Sequence, residues 1–157
     1  MAVRWAGRWL LPLLLLLLSS SLSLSATPAN DEAALLAFKT AAIRCGVGDP
    51  LASWNTSAAA GDGASYCSWE GVRCEGSGRH RRVVALSLYS YGLPGTLSPA
   101  IGNLTFLQVL NLSSNWFHGT IPAGVGRLVR LKTLDLSYNA FSGTLPANLS
   151  SVSACFC

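Results

Sequence analysis

The sequence predicts an α/β solenoid: short coils, one strand each, stacked behind a helical lid that a disulfide pins. Three observations predict it. First, a 24-residue period runs through Val83–Phe106, Leu107–Arg130 and Leu131–Ala154. Leu86, Leu110 and Leu134 share one column of that alignment, and Leu88, Leu112 and Leu136 the next. Gly95, Gly119 and Gly143 form a third column, and Leu97, Ile121 and Leu145 a fourth. Second, an amphipathic helical pattern occupies residues 30–44, ahead of the first block. Third, six residues separate Cys67 from Cys74, between that helix and the blocks.

A period of 20–29 residues carrying L-x-x-L-x-L-x-x-N is the pattern of a leucine-rich repeat. Each unit cannot bury its apolar edge alone, so neighbouring units stack and share one core. The chain divides accordingly into a leader at 1–25, a cap at 26–82, three repeats at 83–154 and a short tail at 155–157.

The leader comes first. Arg4 and Arg8 precede the apolar run Leu10–Leu18, interrupted only by Pro12, and small residues fill Ser19–Ala26. That order is a secretory signal peptide, with cleavage after Ser25 or Ala26. A spanning helix needs about 20 apolar residues, roughly twice this run. With Arg4 and Arg8 removed, nine basic and seven acidic residues remain, a net +2. So small a surplus gives no reason to expect nucleic acid as a partner. The run Arg79–His80–Arg81–Arg82 reads as solvated surface.

Residues 30–44 form the lid helix. Asn30 suits the N-cap, Asp31 and Glu32 complement the positive end of the helix dipole, and Lys39 and Arg44 the negative end. Leu35, Phe38, Ala42 and Ile43 make one apolar stripe, expected to lie on the first repeat. Gly46, Gly48 and Pro50 end the helix. Residues 56–65 read as a loop. A secreted chain with five cysteines favours bridges over zinc. A short hairpin would close Cys67 on Cys74, while Cys45, Cys155 and Cys157 are left unassigned. Trp54 and Trp69 supply apolar surface to cover the open end of the stack.

Within each repeat the L-x-L segment is a short strand. Leu110 and Leu112 point inward; Val109, Asn111 and Ser113 point outward, because side chains alternate with period two. Asn115 and Asn139 occupy the consensus asparagine position, where they can satisfy buried backbone groups. Tyr91 replaces it in the first repeat. Gly119 and Gly143 permit sharp turns, and Pro122 and Pro146 fix the backbone beyond them.

These residues resemble a known family. His118–Pro122 (HGTIP) and Gly143–Pro146 (GTLP) resemble the plant-specific class of leucine-rich repeat. Asp31–Cys74, with ALLAFK, LASWN and CSWEGVRC, resembles the N-terminal cap of plant leucine-rich-repeat receptor-like kinases. The resemblance implies a right-handed curved solenoid with strands on its concave face, a second short strand near G-x-I-P, an extracellular position, and recognition of a peptide, hormone or partner protein. The kinase and the membrane span of such a receptor would lie downstream. The chain stops near the start of a fourth repeat, so it reads as a truncated ectodomain, and Leu134, Leu136 and Leu145 are expected to be open to water.

The ligand face is read as Ser87 and Tyr89; Val109, Asn111 and Ser113; and Thr133, Asp135, Ser137 and Tyr138. Four N-x-S/T sequons, at Asn55, Asn103, Asn111 and Asn148, are glycosylation sites on a secreted chain. Asn111 lies on the strand face and is expected to be used least. His80 and His118 have no partner at a triad spacing, so no catalytic residue, cofactor or metal ligand is expected. The expected partner is an extracellular peptide or protein, with a co-receptor as a further one. The alternatives are a secreted inhibitor of pathogen wall-degrading enzymes, similar to polygalacturonase inhibitors, and a decoy or co-receptor.

Overall fold

In the computed structural model the described residues are 31–43, 48–55, 65–149 and 153–155. The expected signal peptide, Asn30, Arg44, Cys45, Gly46, Cys157 and residues 56–64 lie outside them. The first element is helix α1, Asp31–Ala42. Its stripe is Leu35, Phe38 and Ala42, all fully buried, with Ile43 half-buried just beyond.

The helix docks on the first coil by two devices. Asp31 does more than complement the helix dipole. Its carboxylate accepts from Arg82 Nε at 3.0 Å, from an Arg82 terminal nitrogen at 2.8 Å and from the Val83 amide at 2.8 Å. At the other end the Thr96 amide donates to the Ala41 carbonyl at 2.9 Å. A Cβ on Gly95 would overlap that same carbonyl, so only glycine lets helix and coil approach this closely.

The main sheet runs in the order β1 (Val72–Glu75), β2 (Arg82–Ser87), β3 (Val109–Asn111), β5 (Thr133–Asp135) and β7 (Ser153–Cys155). Strand β1, Val72–Glu75, runs antiparallel to β2, Arg82–Ser87. Strand β3, Val109–Asn111, and β5, Thr133–Asp135, continue the sheet in parallel with the 24-residue register: Leu86 pairs Leu110, and Leu110 pairs Leu134. All three of those leucines are at 0% exposure, and Leu88, Leu112 and Leu136 follow them inside. Burial of each contributes roughly 1.5–3 kcal/mol.

Two more strands, β4 (His118–Thr120) and β6 (Ala140–Ser142), pair in parallel near G-x-I-P. Their register is 22, His118 opposite Ala140, so equivalent residues of successive coils are staggered along this side. On the outer side, short 3-10 turns at Pro99–Asn103 and Ala123–Arg127 stack backbone on backbone, with Gly102 against Gly124.

The last coil departs from the period. Strand β7, Ser153–Cys155, pairs with β5 at an offset of 20: Thr133 faces Ser153. It completes the sheet edge four residues earlier than the repeat dictates. As a result Leu134 and Leu136 are buried, contrary to the expectation from sequence, and of the three leucines only Leu145 is open, at 45% exposure.

Five aromatic rings run from lid to last coil. Trp69 stacks on Trp54 at 5.4 Å, Trp54 meets Phe38 at 6.0 Å, Phe38 meets Phe117 at 6.0 Å, and Phe117 stacks on Phe141 at 5.9 Å. Trp54 also donates from its indole nitrogen to the Glu70 carbonyl at 2.9 Å, which satisfies its one polar atom.

Candidate recognition face

The asparagines build the frame of the face. Asn115 donates to the carbonyls of Leu88, Leu112 and Ser113 at 2.7, 2.9 and 3.1 Å, and accepts from the Leu93 amide at 3.0 Å. Asn139 repeats this one coil later, with Leu112, Leu136 and Ser137 as acceptors and the Phe117 amide as donor. Each side chain thus ties its own turn to the coil before it. Tyr91, at the corresponding place in the first coil, is half-buried; burial, then the Glu70 carboxylate, raises its pKa.

Just before each of these positions the chain takes a left-handed residue: Ser90 at φ 58°, Ser114 at 55° and Tyr138 at 53°. Neither Ser nor Tyr favours this region. It turns the chain off the sheet and leaves the Tyr138 ring 73% exposed.

The structure places the predicted face residues unevenly. Ser87, Tyr89, Thr133 and Tyr138 are exposed; Val109, Asn111 and Asp135 are half-buried. Ser113 and Ser137 require correction, since they are only 4% and 8% exposed. Ser113 donates from its amide and its hydroxyl to Asn111 Oδ1 at 3.0 and 2.6 Å, and Ser137 does the same to Asp135 Oδ1 at 3.1 and 2.6 Å. These serines shape Asn111 and Asp135 rather than present themselves. Burial acts to raise the Asp135 pKa, but the Ser137 hydroxyl and amide and the Ser113 hydroxyl outweigh it and lower the pKa, so the site is anionic at neutral pH.

Cys67 and Cys74 are bonded, with Cα atoms 5.6 Å apart, linking the turn Ser65–Ser68 to β1. Asn55 and Asn103 are exposed and Asn111 is half-buried; the Asn148 side chain lies outside the described residues. His118 is exposed on β4 and His80 on the 3-10 turn before β2. Among the described residues no three His, Cys, Asp or Glu side chains lie close enough to hold a metal ion, and no helix is long and apolar enough to cross a membrane.

Sequence reasoning missed Trp116, which is 73% exposed beside the turn. Its column, Gly92 and Ala140, holds small residues that need no cover, and that was the available signal.

Fold and face together define a leucine-rich-repeat solenoid with a disulfide-pinned N-terminal cap. The model of the leucine rich repeat N-terminal domain matches residues 28–75, and that of the leucine rich repeat matches 106–128 and 130–152. The rice (Oryza sativa subsp. japonica) receptor kinase-like protein Xa21 is 50% identical over 93 residues, which cover 56% of this chain and 8% of Xa21. Among solved structures, the ectodomain of the Arabidopsis thaliana receptor kinase GASSHO1/SCHENGEN3, in complex with CASPARIAN STRIP INTEGRITY FACTOR 2, superposes with a TM-score of 0.68 at 34% identity, covering 78% of this chain and 14% of that one. A chain of the Arabidopsis thaliana BIR3–SERK2 complex gives a TM-score of 0.67 at 28% identity, covering 81% of this chain and 67% of that one. The chain belongs to the leucine-rich-repeat proteins and is similar to the ectodomains of plant receptor kinases. It spans only 8% of the length of the rice relative.

Proposed function

We propose that this chain is an extracellular recognition module: the cap and first coils of a receptor-kinase ectodomain, with no catalysis or cofactor of its own. Residues 1–25 are the secretory leader, 26–82 the cap and 83–154 the recognition coils. The observation that carries this reading is the 50% identity to a receptor kinase across 93 residues. The ligand is a peptide or protein, held on the concave sheet. Tyr89 and Tyr138 are the anchors, because tyrosine contributes large contact area with few rotamers to fix. Asp135 adds a fixed negative charge beside them. A co-receptor is the second partner; the similar chain in the BIR3–SERK2 structure is likewise part of a complex.

A photo-crosslinking residue placed in turn at Tyr89, Thr133 and His118, in chain secreted into plant extracellular fluid, tests this. Adducts at positions 89 and 133 and none at 118, on the separate two-stranded sheet, support the reading. Equal adducts at all three positions would overturn it.

A further inference from the structure

Three cations outside the concave face obey the repeat register. Arg127 donates to Asn103 Oδ1 at 3.3 Å and to the Pro99 carbonyl at 3.4 Å. The Arg130 guanidinium lies 4.1 Å from the centre of the Phe106 ring. Lys132 Nζ donates to Gln108 Oε1 at 2.9 Å. Asn103, Phe106 and Gln108 each precede their cation by 24 residues, one coil back.

Every one of those partners is neutral, so the cations are oriented without being neutralised. Among the described residues the ion pairs are Lys39 with Asp49 and Arg82 with Asp31, and neither involves this group. Arg82 covers the other face of Phe106 at 4.3 Å, but Asp31 already answers its charge. Arg127, Arg130 and Lys132 are all exposed. Long basic side chains normally lose rotamer freedom when they bind. Here contacts to the previous coil impose that loss beforehand.

We propose that Arg127, Arg130 and Lys132 form a binding flank for an acidic polysaccharide, a polymer of carboxylated sugars. Guanidinium and ammonium groups are donors only, and such a polymer offers carboxylate and hydroxyl acceptors along its length. The flank gives an acidic peptide little to anchor on. Both faces of Phe106 are covered, and Val129, 86% exposed, protrudes instead of lining a pocket. A glycan on Asn103 would attach through Nδ2 and leave Oδ1 to Arg127, so modification of that sequon is compatible with the flank. The inference does not depend on what the concave sheet binds.

The test uses the whole secreted chain, immobilised, with polygalacturonate as the probe. Its fully methyl-esterified form and polyglutamate of matched charge are the comparison arms. Polygalacturonate should bind, weaken as salt rises, and bind about tenfold less tightly to the Arg127→Gln/Arg130→Gln/Lys132→Gln variant. Arg73→Gln, an exposed cation on β1, should leave the affinity unchanged. Equal binding of the neutral ester, polyglutamate binding as tight as polygalacturonate, an unaffected triple variant, or an equal loss in Arg73→Gln would each overturn the proposal. Should the triple variant lose its cooperative melt, Lys132→Gln alone decides, with a drop of two- to fivefold expected and no drop overturning it.

Discussion

Asn115 is the residue on which the coils most depend. Its four hydrogen bonds join two coils inside the buried core. Asn115→Ala strands the Leu93 amide and the Leu88 carbonyl together, at about 1–3 kcal/mol for each unsatisfied group. Chemical denaturation should therefore show a loss of about 2–6 kcal/mol, with a smaller loss for the half-buried Asn139. Equal, small losses would mean that water replaces both side chains. The ladder was legible in the sequence, since only the asparagine column offers donor and acceptor on one short side chain. The serines were not. Period-two alternation holds only while the chain stays extended, and β3 ends at Asn111. Ser113 lies beyond that end, where the left-handed Ser114 turns the backbone and Asn111 draws the Ser113 hydroxyl inward. Asn111 is half-buried on the strand face, so glycopeptide mapping should find its sequon the least occupied of the four.

Among the elements, the lid is secured by ionic and covalent clasps with different sensitivities. Lys39 Nζ bonds Asp49 at 2.7 Å and the carbonyls of Leu51 and Trp54, fastening α1 to the segment after it. The hydrogen bond from Lys39 lowers the Asp49 pKa below its unfolded value. The unfolded chain therefore takes up a proton at higher pH than the folded chain does. The clasp contributes in full above the unfolded pKa and fades as pH falls through the lower, folded one. Melting temperature should drop in that acid window for the parent chain and less steeply for Asp49→Asn. The disulfide is indifferent to this pH range. Replacing Cys67 and Cys74 by Ser should remove about 2–3 kcal/mol, the low end expected for so short a loop, measurable as a lower denaturant midpoint. The lid helix was legible from Leu35, Phe38 and Ala42 and from its glycine and proline stops. Strand β1 was not, because the alternation in Val72–Glu75 is too short to distinguish from a turn. Its strand character comes from antiparallel pairing with β2, a non-local partner.

Across the molecule the coils share one core without a gap, so damage at one end should be felt at the other. Leu110→Ala, at the middle of the spine, should cost about 2–5 kcal/mol and still give a single unfolding transition by circular dichroism. Two resolved transitions would mean that lid and coils fold independently. The stacking itself was legible from the column of leucines. The early closure by β7 was not, since an offset of 20 follows from where a strand edge can be covered rather than from the period. The row of rings from Trp69 to Phe141 gives the protein an internal optical gauge. Trp54 and Trp69, enclosed in that row, would emit blue and resist collisional quenchers, whereas Trp116 stands in water and would emit red. Loosening of the lid would thus shift the spectrum while the surface indole stays constant, so the tightness of the closed end can be followed in solution without a label.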